Sequence, residues 1–193
     1  MDLELHWRGP IGPGNFPTDP TTVEDLNQSG IYLRLKIYQN GRCIAYVGQS
    51  QNLLFRFVQH IRSILSLQQL LRDHMGSLVV SENFRDRFNF INKLSSLGML
   101  AIAEAERTKF YFALGRDGFD TEYLGLIEAM LKTRAEKILC GDLENIQDIT
   151  PGEFDHDITI SNNFSRVGSE GYKLIGSIIG HESIRVIARQ EFG

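Results

Sequence analysis

Two tyrosines, an arginine and a histidine lie close together in the stretch from Ser29 to His60. Tyr32 closes the tripeptide GIY, Tyr46 opens the tripeptide YVG, and thirteen residues separate the two tyrosines. Arg56 and His60 follow at a spacing of four, so on a helix they share one face. A guanidinium fork matches phosphate oxygens, and phenols and imidazoles move protons. The stretch therefore predicts a site for phosphate chemistry, with an ordinary amphipathic hairpin and helix as the alternative.

Each of these side chains has a candidate catalytic role. Hydrolysis of a phosphodiester needs a positioned water, a base, neutralisation of charge and help for the leaving oxygen. Tyr32 is the candidate base, because a nearby cation or metal-polarised water can lower the pKa of a phenol from about 10. Tyr46 would orient the water or a phosphate oxygen, and Arg56 would bind the phosphate. His60 would relay a proton or bind the phosphate.

The alternating segments IYLRLKIY and RCIAYVG predict two strands of a hairpin. A two-residue turn at 40–41 would put Tyr32 and Tyr46 on opposite faces. A three-residue loop at 39–41, with Gly41 in the left-handed conformation, pairs residue 38 with residue 42 and separates an apolar face from a polar one. We predict this second register. It places on one face Tyr32, Arg34, Lys36, Ile44 and Tyr46.

The rest of the chain predicts a mixed architecture. Helices are expected at about 51–65 with Ser50 as the cap, in LQQLLRDHMG up to Gly76, at 82–98 and at about 121–139. Strands are expected at 108–114 and, shorter, after Pro151, and one or two apolar elements end the chain. The predicted fold class is α/β (α+β), with a small central three-stranded antiparallel sheet flanked by helices.

Proline distribution and motif positions suggest the domain organisation. Four of the five prolines lie at positions 10, 13, 17 and 20, which indicates an extended arm. We therefore predict an N-terminal arm at 1–28, a catalytic domain at 29–165 and a C-terminal extension at 166–193.

Composition is that of a globular protein, with 42% hydrophobic and 23% charged residues. The net charge of −4 conceals a basic centre, because residues 1–30 carry −4, residues 31–139 carry +5 and residues 140–193 carry −5. A basic face suits a phosphate backbone, although a solvated helix surface looks similar. Two cysteines, no signal-like leader and no membrane-length apolar run predict a cytoplasmic protein without membrane association.

Taken together, the tripeptides, the continuation GQSQNLLFR and a later helical glutamate resemble the GIY-YIG nuclease family over roughly residues 29–165. The resemblance implies metal-dependent hydrolysis of DNA phosphodiesters, with Arg56 and His60 matching the arginine and histidine of the family's helix. Glu128 in LGLIEAMLK matches the glutamate that holds the metal, for which Mg²⁺ (or Mn²⁺) is expected. Asn163, or its neighbour Asn162, resembles the family asparagine, and His74 could match a further histidine of some members.

The expected partner is DNA. Substrate contacts are predicted at Arg34, Lys36, Gly48 and Asn163. A site of this kind typically cuts one strand, so cleavage of both strands would call for a homodimer or two visits. Target selection is expected from residues 62–106 and the two tails, which favours a restriction-type or mobile-element-type endonuclease over a large repair enzyme.

The alternative function is a nuclease-like module that binds nucleic acid or a partner protein without catalysis. The acidic flanks favour it slightly. Individual residues also have structural alternatives: Glu128 could simply pair with Lys132 at i,i+4, Asn163 could be a turn residue, and His74 could lie in the last turn of a helix. The presence of all five polar site residues favours the enzyme.

Overall fold

A six-stranded sheet forms the centre of the protein in the computed structural model, which describes residues 1–80, 91–115, 121–139, 141–145 and 157–187. Its strands are β1 (Asp2–Ile11), β2 (Gly30–Ile37), β3 (Cys43–Ser50), β6 (Thr108–Gly115), β7 (Ile158–Val167) and β8 (Ile184–Val186). The strand order is β3-β2-β6-β1-β7-β8, and the sheet curls into a half-barrel.

The prediction of a small three-stranded antiparallel sheet is therefore wrong. The three predicted strands, β2, β3 and β6, are adjacent and antiparallel, but β6 also pairs with β1, and β1 pairs in parallel with β7. Local patterns did not reveal this extension, because β1 precedes a proline-rich segment that predicts an arm. Leu5 and Trp7 of β1 are fully buried, so residues 2–11 belong to the sheet. The domain boundaries themselves stay a prediction.

Helices cover both faces of the sheet. Their bounds are α1 (Pro20–Leu26), α2 (Leu53–Leu65), α3 (Leu94–Glu106), preceded by a 3-10 turn (Ile91–Lys93), α4 (Thr121–Leu139) and α5 (Ser169–Ile179). The helix predicted at 121–139 is confirmed. The cap of α2 is Asn52 and not Ser50, because the Asn52 side chain accepts the Phe55 N–H at 2.7 Å. The Ser50 hydroxyl oxygen instead accepts the N–H of Asn52, the residue before the helix begins, at 3.1 Å.

The predicted hairpin register is confirmed. β2 and β3 pair from Gly30 opposite Ser50 to Ile37 opposite Cys43. The Tyr38 N–H donates to the Arg42 carbonyl at 2.9 Å, which closes a three-residue loop, and Gly41 has φ +81°. That conformation favours glycine because a Cβ clashes there.

The register gives the hairpin two different faces. One face packs against α4 and α5 in a large apolar core. The buried hairpin members of this core are Ile31, Leu33, Leu35, Ala45 and Val47. The other face carries Tyr32 and packs, with Phe110 and Phe112 of β6, against Leu53 and Phe57 of α2. Consequently α2 and α4 lie on opposite sides of β2.

The helix predicted up to Gly76 is wrong. That segment forms a small hairpin of β4 (Leu71–Arg72) and β5 (Leu78–Val80). Asp73 Oδ1 accepts the N–H groups of Met75 and Ser77, at 2.8 and 2.9 Å, and stabilises the turn. Of the helix predicted at 82–98, residues 81–90 lie outside the described part, and α3 begins at Leu94. None of the described helices is long and apolar enough to cross a membrane.

Candidate functional site

The Tyr32 side chain lies across Gly48 of the neighbouring strand. The two residues are directly paired, and Tyr32 is only 1% exposed. A Cβ on Gly48 would come within 2.8 Å of Tyr32 Cε1 and closer still to Cζ and the hydroxyl oxygen. Gly48 was predicted to contact substrate; in the structure, its missing side chain makes room for the Tyr32 ring.

Tyr32, Tyr46 and His60 form one aromatic cluster, as the register predicts. The two tyrosine rings stack with centroids 5.9 Å apart and planes 9° apart. His60 from α2 meets both rings edge-on, at 5.3 Å from Tyr32 and 5.2 Å from Tyr46. Phe110 stacks on Tyr32 at 4.8 Å. The sheet and α2 therefore hold the two phenols and the imidazole in one fixed arrangement.

His60 connects Tyr32 to a chain of polar groups. Its Nε2 lies 2.9 Å from the Tyr32 hydroxyl, and its Nδ1 lies 2.8 Å from Nη1 of Arg34. Arg34 also donates to Gln69 Oε1 at 2.7 Å and forms an ion pair with Glu144. Its guanidinium lies over the Tyr46 ring, 4.8 Å from the centroid. The polar chain thus runs from Glu144 through Arg34 and His60 to Tyr32.

Burial determines the protonation states of this cluster. Burial and the neighbouring Tyr46 raise the pKa of Tyr32 above its usual value, although Arg56 and Arg34 oppose the shift. Burial and the charges of Arg34, Arg56 and Lys36 lower the pKa of His60 to about 3. At neutral pH the free protein therefore holds a neutral imidazole and a protonated Tyr32. A protonated phenol does not suit the base role predicted for Tyr32.

Arg34 and Lys36 are buried, although they were predicted to contact substrate. Their side chains are 3% and 1% exposed. Lys36 Nζ lies 3.0 Å from Glu104 Oε1 and 3.4 Å from Glu144 Oε1. Glu104 also accepts the Tyr38 hydroxyl at 2.9 Å. Both cations are thus neutralised by carboxylates within the fold, and Arg34 in turn contacts His60 and the Tyr46 ring.

The sequence patterns did not reveal Glu144, Glu104 or Gln69 as members of this network, and Glu144 is the carboxylate that binds Arg34. Residues 142–145 run along the outer edge of β3, where the Glu144 N–H donates to the Ala45 carbonyl at 2.8 Å and Asn145 Nδ2 donates to the Val47 carbonyl at 2.5 Å. Burial raises the pKa of Glu144, but Arg34, Lys36 and Arg72 outweigh it, and the net shift is downward. Two cations on one face of a strand, Arg34 and Lys36, indicate that carboxylates must pair with them if the face is buried. The sequence pattern does not indicate which carboxylates these are.

A polar groove opens beside the cluster, on the exposed side of α2. Its volume is about 550 Å³, and it is lined by Arg56, Gln59, His60, Arg62, Ser63, Ser66, Gln68 and Gln69. Within the described ranges, no hydrogen bond or ion pair engages the guanidinium groups of Arg56 and Arg62. The groove therefore offers two available arginines and several amide and hydroxyl donors next to His60.

Glu128 does not join this cluster. It lies on α4, on the side of β2 opposite to α2, and its Oε1 lies 2.8 Å from Lys132 Nζ. The structural alternative of an i,i+4 pair is thus what the structure contains. A metal at Glu128 would have to compete with this ammonium group.

Asn163 and Asn162 also lie elsewhere, on β7. β6 and β1 separate that strand from β2, which corresponds to about 14 Å. Asn163 donates to Glu4 Oε1 at 3.0 Å, and Asn162 accepts from Trp7 Nε1 at 2.9 Å. His74 is exposed on the turn between β4 and β5, so it is not in the last turn of a helix.

The side chains around the tyrosines do not fit a divalent metal. The carboxylates of the buried network, Glu144 and Glu104, are already bound by Arg34, Lys36 and Tyr38. In the part of the chain that the structure describes, no group of three or more His, Cys, Asp or Glu residues is placed to hold a metal ion. These side chains therefore supply no free carboxylate for a metal, and the requirement for Mg²⁺ or Mn²⁺ stays a prediction.

No protein-family model, curated protein or solved structure matches the chain. The resemblance to GIY-YIG nucleases consequently stays a prediction that rests on the sequence motifs.

Proposed function

We propose that the protein is an endonuclease that hydrolyses phosphodiester bonds of DNA. The observation that supports this most is the convergence of Tyr32, Tyr46 and His60, from three different elements, beside a groove that presents Arg56. A strand tyrosine with a merely structural role needs neither a stacked second tyrosine nor a buried histidine on its hydroxyl. The proposal includes cleavage of the restriction type or the mobile-element type. It also includes a homodimer where both strands are cut.

The groups in and beside the groove would act mainly on phosphate charge. In hydrolysis, a water oxygen bonds to phosphorus and gives up a proton, the bond from phosphorus to the leaving oxygen breaks, and the leaving oxygen takes up a proton. Negative charge builds on the phosphate oxygens during this step. Arg56 can bind two of these oxygens with its fork, and Arg62 can bind a neighbouring phosphate. Tyr32 is protonated in the free protein, so its role in this proposal is to donate a hydrogen bond.

A second candidate function is binding of nucleic acid without cleavage. The pairing of Glu128 with Lys132 at 2.8 Å, away from the tyrosines, favours it. Binding needs the arginines of the groove, whereas it needs neither a metal nor a proton acceptor.

A plasmid-nicking assay combined with DNA binding separates the two functions. The wild-type protein is assayed with Mg²⁺, with Mn²⁺ and with EDTA, beside Tyr32→Phe, Arg56→Ala and Glu128→Ala. Arg166→Ala is the matched control, since Arg166 is an exposed arginine on β7 that does not line the groove. The endonuclease proposal expects nicking that falls at least ~100-fold in Tyr32→Phe, as losing one oriented donor does, while DNA binding persists. The arms with Mg²⁺, Mn²⁺ and EDTA determine whether the reaction requires a metal.

The other outcomes are equally informative. DNA binding that depends on Arg56, without nicking in any metal, would leave the binding module as the function. Undiminished nicking in Glu128→Ala would show that Glu128 holds no essential metal. A protein that neither binds nor nicks DNA would refute both candidates.

A further inference from the structure

Two hydrogen-bond donors converge on Nδ1 of His60. Arg34 Nη1 lies at 2.8 Å, and Gln69 Nε2 lies at 3.4 Å. A guanidinium has only N–H donors and no acceptor. Nδ1 must therefore accept, which requires a ring nitrogen without a proton.

The proton of a neutral imidazole then resides on Nε2. This atom lies 2.9 Å from the Tyr32 hydroxyl oxygen, so the imidazole donates and the phenol oxygen accepts. The phenol's own proton cannot point at Nε2 at the same time. It can point towards Tyr46, whose side chain shares a hydrogen bond with Tyr32. The opposite tautomer would reverse this bond and direct the Tyr32 proton into the imidazole.

The position of Arg34 depends on Glu144. The carboxylate binds Nη2 of Arg34 and holds Lys36 Nζ at 3.4 Å with its other oxygen. Glu144 is itself fixed to the edge of β3 by its backbone and by Asn145. Arg34 has no other described carboxylate partner, so removal of the Glu144 charge would leave a buried guanidinium held by Gln69, His60 and the Tyr46 ring alone, with no counter-charge to fix its orientation.

We propose that Glu144, acting through Arg34, is a positioning residue that holds His60 as the Nε2–H tautomer, so that the Tyr32 proton points away from the imidazole and towards Tyr46 or a substrate phosphate oxygen. The benefit to catalysis rests on the proposed function, whereas the tautomer is a property of the folded protein alone. This role for a residue at the edge of β3 extends the site beyond the tyrosines, Arg56 and His60.

Ring-nitrogen NMR of the ¹⁵N-labelled full chain measures the tautomer directly. Long-range proton–nitrogen spectra distinguish a bare ring nitrogen from a protonated one, and the signals that vanish in His60→Gln assign the residue. The wild type is expected to show bare Nδ1 and protonated Nε2 at neutral pH. Protonated Nδ1 in the wild type would overturn the proposal.

Two variants test the part played by Glu144. In Glu144→Gln the single-tautomer signature is expected to be lost, and the nicking rate is expected to fall about 10-fold or more. Glu106→Gln is the matched control, because Glu106 is exposed on α3, and it should change neither. Asn145→Ala loosens the same segment without removing the charge, so it keeps the test valid if Glu144→Gln does not fold.

The outcomes remain separable from those of the proposed function. A folded Glu144→Gln protein, or Asn145→Ala where that is the folded variant, with an unchanged His60 tautomer would refute the positioning role. The expected tautomer in a wild-type protein that never nicks DNA would refute the endonuclease and leave the positioning of His60 intact.

Discussion

Replacement of Gly48 by alanine tests how the Tyr32 ring is accommodated. The added Cβ would lie within 2.8 Å of Tyr32 Cε1 and closer to the hydroxyl end of the ring. The ring cannot move away freely, because Phe110 stacks on it at 4.8 Å. The substitution therefore forces either the ring or β3 to shift.

The magnitude follows from overpacking a filled core. One inserted methyl group of this kind costs about 1–3 kcal/mol. The loss of a flexible glycine from the unfolded chain offsets about 0.4–1 kcal/mol of that. We expect Gly48→Ala to lower the free energy of unfolding by about 1–2 kcal/mol, and the Tm of a chain of this size by roughly 2–8 °C.

Gly125→Ala is the matched control for the same substitution. Gly125 lies inside α4, and a Cβ there would meet Gln49 Nε2 at an ordinary 3.8 Å. Because glycine is a poor helix former, this variant should gain about 0.5–1 kcal/mol. The two variants are thus expected to change stability in opposite directions.

Urea unfolding of a double-mutant cycle identifies the clash. If the Tyr32 ring is the obstacle, Tyr32→Leu should relieve much of the penalty, with a coupling free energy of about 1 kcal/mol or more. Zero coupling, or a gain of stability in Gly48→Ala equal to that in Gly125→Ala, would refute the reasoning.

Three further predictions concern the groups around the site. Lys36→Met should lower the free energy of unfolding in urea by about 1–3 kcal/mol, because Glu104, at 0% exposure, loses this cation but keeps Arg107 at 3.2 Å. Lys36→Met with Glu104→Gln should recover part of the loss, and no recovery would contradict a buried pair. The pKa of His60 is lowered from 6.5 to about 3 in the folded state, so the neutral imidazole contributes fully to stability above pH ~6.5 and this contribution is lost as the pH falls towards ~3. The free energy of unfolding should therefore fall by up to ~1.4 kcal/mol per pH unit in this range. His60→Gln should show a shallower decline, and identical slopes in the two proteins would be inconsistent with a neutral buried imidazole. Asn52→Ala should cost about 1 kcal/mol in thermal or urea unfolding, because the Phe55 N–H loses its cap at 2.7 Å, and an unchanged midpoint would argue against Asn52 as the cap.

Short-range patterns in the sequence determined much of the site. The alternation in β2 and β3, together with Gly41, specified the register that stacks Tyr32 on Tyr46. Helical spacing likewise placed His60 on the face of α2 that reaches these rings. These features follow from residues a few positions apart, for which side-chain period and turn chemistry leave few alternatives.

Only the tertiary structure decided which distant segments meet. β1 enters the sheet beside β6 and β7, Glu144 reaches Arg34 across more than 100 residues of chain, and α4 carries Glu128 to the other side of β2. Each outcome depends on which apolar faces pack against each other and on which carboxylate neutralises a buried cation. Those choices are made by packing and by the cost of an unpaired buried charge, and neither is encoded in a local pattern.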